Sequence, residues 1–299
     1  MLCMLGMRLQ GGSPLPHTSV NRYPRCMAFT VFSKNGEILP SSEAVVPLSD
    51  ISYAYGFGVY ETIRVLRGRA LFLADHLERL MHSATILGLE HTLGTGVIAA
   101  WTEELLKKID AEACNLKILL IGGKDAASAT LYMIPLAPLF PDKRLYQRGA
   151  SAITVRHERF LPHAKSLNML PSYLAYRQAK IADAYDALLV DRDGCITEGT
   201  RTNFFVMRGR TIISPPQEVI LEGVTLKHVL ATAKNEGYAL EYAPIPLKDV
   251  TTYDGAFLTS TSSKIMPLSK IDDHELRIPA ELTELIGHFE VFLKSAQED

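Results

Sequence analysis

VYETIRVLRGRALFL (residues 59–73) runs directly into ADHLERLMHSATILGL (74–89), and the change of pattern between them sets the fold class. In the first stretch, β-branched, aromatic and leucine residues flank Arg67-Gly68-Arg69, which reads as two strands around a tight turn. In the second, Leu77, Leu80, Met81, Ala84 and Leu87 recur at helical spacing. His76, Arg79 and Ser83 gather at one margin of that apolar stripe. A hairpin followed by an amphipathic helix is an α+β arrangement. Upstream, AFTVFSKNGEIL (28–39) places Asn35-Gly36 between two short strands, a strong hairpin signal. Downstream, Val97, Ile98, Trp101, Leu105 and Leu106 predict a second helix, and LKILLIG (116–122) and ATLYMI (129–134) two more strands.

Three prolines in PLAPLFPD (135–142) predict an extended, stiff connector. The expected organisation is a small α+β domain over 27–137, a linker over 138–145 and a larger α+β domain over 146–299. In the latter, strand ASAITV (150–155) leads to a loop holding Lys165, and a helix is expected from about Pro171. ALLVDRDGCITEG (187–199) and NFFVMRGRTIISPP (203–216) read as hairpins. A helix begins near Gly223, GAFLTSTSS (255–263) is a strand ending in hydroxyls, and Pro279 to Ala296 forms an amphipathic helix. Residues 1–26 carry Arg8, Arg22 and Arg25 and no acid; they read as a disordered leader or as a start set before Met27.

The 299 residues are 47% hydrophobic and 21% charged, enough apolar material for a proper core. A formal net charge of -2 gives no electrostatic case for nucleic acid, and no apolar run approaches the roughly 18 residues of a membrane span. Cys3, Cys26, Cys114 and Cys195 form no C-x-x-C pair, so no zinc site or disulfide framework is expected, and a reducing cytoplasm is the simplest home. GFGVYE lacks the third glycine of a dinucleotide fingerprint, and IGGKD lacks P-loop spacing. No metal site is expected from histidines that occur singly.

What remains is a series of separated fragments: YGFGVYETIR (55–64), HLERL (76–80), KSLN (165–168), TEGTRTN (197–203), LEGVT (221–225) and TSTSS (259–263). Their order and spacing resemble the fold-type IV family of pyridoxal 5′-phosphate (PLP) enzymes, which includes D-amino-acid aminotransferases, branched-chain aminotransferases and aminodeoxychorismate lyases. The resemblance implies a two-domain α+β fold and a homodimer with sites near the subunit interface. It implies that Lys165 holds the cofactor as a Schiff base and, once freed, moves the proton. Glu198 then corresponds to the carboxylate facing the pyridine nitrogen. Arg79, Gly223, Val224, Thr225 and Thr261 correspond to the phosphate site, where a guanidinium and free helix N–H groups suit an anion. Tyr60 and Glu61 match substrate-side positions, and Arg64 shares the strand parity of Tyr60.

The sequence departs from the family where D-amino-acid enzymes carry a carboxylate-binding arginine; Gly122-Gly123-Lys124 stands there. Lys124 or Arg201 replaces that arginine, backbone groups do, or the substrate has no α-carboxylate. Met169 stands where branched-chain members carry a tyrosine, Phe57 replaces a usual aspartate, and Leu226 follows Thr225 where an arginine is frequent. The expected reaction is a ping-pong transamination between an apolar or branched-chain amino acid and a 2-oxo acid. The alternatives are aminodeoxychorismate cleavage to 4-aminobenzoate and pyruvate, or D-amino-acid transamination.

Overall fold

The computed structural model describes residues 29–46, 50–138 and 140–296. The reading of residues 1–26, and with it Cys3 and Cys26, lies outside the described residues. The first layer is a six-stranded sheet: β1 (Val31–Lys34), β2 (Glu37–Pro40), β3 (Gly58–Leu66), β4 (Arg69–Ala70), β5 (Ala113–Ile121) and β6 (Thr130–Leu136), ordered β2-β1-β6-β5-β3-β4. The β1–β2 turn uses positive φ at Asn35 (50°) and Gly36 (87°), as an Asn-Gly hairpin requires. A short helix α1 (Ile51–Tyr55) precedes β3, while α2 (Leu73–Ile86) and α3 (Thr95–Ile109) pack on one face of the sheet. Leu77, Leu80 and Ala84 of α2 and Ile98 and Leu105 of α3 meet Val59, Ile63 and Val65 of β3 there, all buried. Val97, expected on the apolar stripe of α3, is instead 47% exposed. Ile98, Thr102 and Leu105 point inward at four- and three-residue spacing, which rotates their predecessor toward solvent.

The connector is not extended throughout 138–145: α4 (Lys143–Arg148) begins inside it, because the Asp142 side chain caps the helix by accepting from Arg144 N. Pro135 stands within β6, paired with Leu116 of β5.

The second sheet has nine strands: β7 (Ala150–Arg156), β8 (Asp186–Val190), β9 (Ile196–Gly199), β10 (Asn203–Arg208), β11 (Thr211–Ser214), β12 (Ala239–Tyr242), β13 (Gly255–Ser260), β14 (Lys264–Ile271) and β15 (His274–Glu275). Helix α5 (Leu170–Ile181) lies between β7 and β8, α6 (Val224–Asn235) between β11 and β12, and α7 (Ala280–Ser295) ends the described chain. The run β10-β13-β14-β7-β8-β9 closes on itself where Glu198 of β9 pairs with Asn203 of β10. Closure removes an open edge, so TEGTRTN is held on both sides.

Two joints lock the layers together. The loop after β7 runs antiparallel to the start of β3: Tyr60 N donates to Lys165 O and Leu167 N to Gly58 O, both at 2.9 Å. Between α2 and α6, Asp75 accepts from Lys227 at 2.6 Å and bonds His228 at 2.8 Å, and His228 stacks on Phe72 with centroids 3.7 Å apart. Among the described residues no helix is long and apolar enough to cross a membrane.

Candidate active site

Strand alternation decides what β3 contributes. Val59, Glu61, Ile63 and Val65 face the α2–α3 core, whereas Tyr60, Thr62 and Arg64 face the other way. Glu61 is therefore a carboxylate on an apolar face, fully buried, and not the substrate-side residue expected. It survives there because α2 supplies partners one turn apart. Its Oε2 bonds His76 Nδ1, and its two oxygens accept from Arg79 Nε and Nη2, each at 2.7 Å. Burial pushes the Glu61 carboxyl up, but the Arg79 charge and the bonds from His76 and Arg79 outweigh it and hold the pKa at about 2. That carboxylate contributes stability in full above its ordinary value of 4.5, and the contribution is lost as pH falls through about 2. Burial holds His76 below its usual pKa. A neutral imidazole facing an ionised carboxylate must donate from Nδ1. Arg79 Nη1 donates to Glu222 O at 2.9 Å. Three of the five guanidinium N–H groups are thus committed, and one remains on each terminal nitrogen.

Lys165 enters from the opposite side. Its backbone is pinned by Tyr60 N and by its own N–H donating to Ser83 Oγ at 3.1 Å. The pinning leaves the side chain free to project, and Nζ stands 4.6 Å from the centre of the Tyr60 ring. Lys117 of β5 places a second ammonium 5.4 Å from the same ring.

Glu198 forms the floor. It is 4% exposed, its Oε1 accepts from Arg159 Nη1 at 3.0 Å, and Oε2 has only a 3.5 Å contact from Leu221 N. Burial raises the Glu198 pKa, and Arg159 opposes the rise only in part. Arg159 is itself anchored by donating from Nη2 to Ala164 O at 3.1 Å. The next turn is shaped by Asp186 of β8, which is 1% exposed and accepts from Ala187 N, Thr200 Oγ1 and Thr202 Oγ1. A Cβ on Gly199 would collide with Thr202 Oγ1 and Asp186 Oδ2, so only glycine fits between them. Asp186→Ala leaves these buried donors unpaired and is expected to lower unfolding free energy by about 2–3 kcal/mol. A urea midpoint equal to that of the parent protein would show that the bonds contribute nothing net.

Above the floor, Asn203 Nδ2 donates to Leu221 O at 2.7 Å and fixes the approach to α6. Gly223 is the N-cap, and no side chain takes the first helix N–H groups, so those of Val224 and Thr225 are available to an anion. Thr261, just past the end of β13, lines the same cleft, as does Thr259, whose Oγ1 is buried without a hydrogen-bond partner among the described residues.

One cleft thus gathers Lys165, Arg79, Glu198, Gly223, Val224, Thr225, Thr261, Tyr60 and Arg201. Two expected residues are elsewhere. Arg64 shares the face of Tyr60, but four residues at strand rise carry it roughly 13 Å farther along. There it stacks on Phe140 at 4.6 Å and donates to Ser262 O at 3.4 Å, lining a neighbouring cleft. Lys124 is exposed beyond the end of β5 and does not line this cleft. Arg201 does line it, its guanidinium 3.9 Å from the Tyr176 ring. Sequence reasoning missed Arg159, Lys117 and Asp186. Arg159 had one usable signal, its place in the same loop as Lys165; Lys117 had strand parity across β5, legible only once its pairing with Thr62 is known.

The cleft fits PLP on its own chemistry: a primary amine, a buried carboxyl with an unfilled lone pair, an uncapped helix start beside a two-donor guanidinium edge, and an orphaned hydroxyl. The comparisons agree. Residues 58–271 match the family model for amino-transferase class IV. The D-alanine aminotransferase of Bacillus licheniformis is 31% identical over 250 residues, covering 80% of this chain and 87% of that protein. The aminodeoxychorismate lyase of Bacillus subtilis is 28% identical over 254 residues, covering 80% and 86%. A T.th. branched-chain amino acid aminotransferase, solved with pyridoxamine 5′-phosphate, superposes with a TM-score of 0.80 at 25% identity over 89% of this chain and 93% of that one. With fold, motif order and relatives in agreement, the chain belongs to the class IV aminotransferase family and is a PLP-dependent transaminase of fold type IV.

Proposed function

We propose that this transaminase moves an amino group from an apolar or branched-chain amino acid to a 2-oxo acid by a ping-pong route, with Lys165 as its catalytic base. The observation that carries the reading is Lys165 Nζ, Glu198 and the Arg79–α6 anion cradle converging on one cleft. PLP, when bound, supplies the electron sink that weakens the substrate Cα–H bond. Arg79, the N–H groups of Val224 and Thr225, and Thr261 would hold its phosphate. Glu198 would accept from the ring nitrogen, and Arg159, bonded to its Oε1 at 3.0 Å, would keep the carboxylate placed for it. Lys165 would hold the cofactor through Nζ and, as a free amine, would move the proton at Cα. Tyr60, against which Nζ rests, limits its travel.

Two features of the lining support the substrate reading. Among the described residues of the cleft Glu198 is the one acid, while Arg201 lines the rim and Lys117 stands behind Tyr60. Arg201, not Lys124, holds the substrate carboxylate, and Met169 and Tyr60 offer apolar walls. A homodimer is supported by the exposed apolar side chains Ile51 (64%), Tyr55 (79%), Phe160 (75%) and Leu170 (65%) on the segments around the Lys165 loop. The free thiols of Cys114 and Cys195 suit the reducing cytoplasm.

The test is the half-reaction. D- and L-amino acids are mixed one at a time with the holoenzyme, and conversion to the pyridoxamine form is followed by absorption. Apolar amino acids of one hand are expected to convert it, and Arg201→Ala to raise the half-saturating concentration by about 10- to 100-fold. Conversion by acidic or basic amino acids alone would overturn the substrate reading. An enzyme inert to every amino acid but releasing pyruvate from aminodeoxychorismate would make it the lyase.

A further inference from the structure

We propose that Glu61 is a positioning residue that aims Arg79 at the cofactor phosphate, with His76 holding Glu61 in place. The inference rests on Arg79 being the phosphate cation. Arginine carries a long side chain with much rotamer freedom, and a bidentate grip works only when the fork is held still. Glu61 removes that freedom. It occupies Nε and one N–H of Nη2, both at 2.7 Å, so the inner edge of the guanidinium is spent on the protein. One N–H is left on each of Nη1 and Nη2, and these are the donors the held guanidinium still has for phosphate oxygens.

The same arrangement sets the distance between the two halves of the anion cradle. Arg79 sits on α2 of the first layer, and Val224 and Thr225 open α6 of the second. Arg79 Nη1 donates to Glu222 O, immediately before the N-cap Gly223. The chain of contacts His76–Glu61–Arg79–Glu222 therefore runs from the core of one layer to the helix start of the other. Glu61 itself touches neither cleft nor substrate, since it faces the apolar side of β3. The pairing that keeps the Glu61 charge buried is thus made, through two hydrogen bonds, to an arginine that also lines the cleft.

The experiment is a double-mutant cycle on PLP affinity, measured by titrating apoprotein with PLP and following quenching of intrinsic fluorescence. It covers Glu61→Gln, Arg79→Ala, the two together, and Glu61→Asp as the milder variant that keeps the charge. Apoprotein melting temperatures and the phosphorus-31 resonance of bound PLP are recorded for each. Glu61→Gln is expected to weaken PLP about 10- to 100-fold and to shift the phosphorus resonance. In the Arg79→Ala background it is expected to change affinity less than twofold, roughly the limit of additive behaviour at independent sites. Glu61→Asp should recover part of the loss; if Glu61→Gln does not fold, the Asp variant carries the cycle alone. Additive losses, or a lowered melting temperature with unchanged affinity and phosphorus shift, would give Glu61 a merely structural role. Unchanged affinity in Arg79→Ala alone would instead remove the phosphate reading beneath it.

Discussion

Lys165→Ala loses turnover by at least about 10³- to 10⁴-fold and with it the visible absorption of lysine-bound cofactor, while the fold stays intact. The size follows from two roles ending together. Proton transfer by a positioned side chain is worth about 10²–10⁴ in rate, and covalent capture of the cofactor adds to it. The fold survives because the backbone of Lys165 makes the structural contacts: its O accepts from Tyr60 N and its N donates to Ser83 Oγ. Alanine keeps both. The side chain contributes its position over Tyr60, whose loss costs a surface-like cation–π contact of about 0.5–1 kcal/mol. The check is steady-state turnover beside the absorption spectrum, with circular dichroism as the control for folding. Turnover within tenfold of the parent enzyme would mean that another amine does the chemistry. Adding methylamine offers a further discrimination, because a small free amine restores part of a lost base function and nothing of a lost fold.

Glu198→Ala separates cofactor binding from cofactor activation. On the proposed reading Arg79, Val224, Thr225 and Thr261, and not Glu198, grip the phosphate, so PLP is expected to remain bound. Turnover is expected to fall about 10²–10³-fold, the range for removing one preorganised partner of a developing charge. The carboxyl is well suited to that partnership. Burial raises its pKa above the ordinary carboxylate value, and Oε2 has only the 3.5 Å contact from Leu221 N. A protonated ring nitrogen would supply the missing donor and charge. Removing Glu198 also strips Arg159 of its carboxylate, so Glu198→Gln is the companion variant, keeping shape and losing charge. Both variants should bind PLP and show slow conversion by amino acids. Unchanged conversion rates in both would place the ring nitrogen elsewhere.

Much of this site is legible from residues alone because its parts lie on short fragments with their own local rules. The helix start at Gly223, the alternation of β3 and the turn after Thr197-Glu198-Gly199 each follow from residue type and spacing, and the fragments then fall on one cleft. What is not legible depends on pairing across the chain. Glu61 and Tyr60 are neighbours in sequence, and only the packing of α2 against β3 tells which of them faces the core. Parity groups Arg64 with Tyr60, but parity fixes the face of a strand and not the distance along it. Lys124 lies three residues past the end of β5, beyond the strand parity that would say where it goes, and it does not line the cleft. Arg159 reaches Glu198 across 39 positions, a separation no local pattern encodes. The helical start of α4 inside the proline-rich connector follows from one capping aspartate that outweighs the prolines before it.

The central claim is that PLP is held on Lys165 and leaves that lysine when an amino acid donates its nitrogen. Borohydride reduction of the holoenzyme, followed by peptide mass mapping with and without prior incubation with the converting amino acid, reads both halves at once. The pyridoxyl mass should appear on the peptide containing Lys165 in the resting enzyme and disappear from it after incubation. A label on a different lysine, or one on Lys165 that no amino acid removes, would contradict the mechanism.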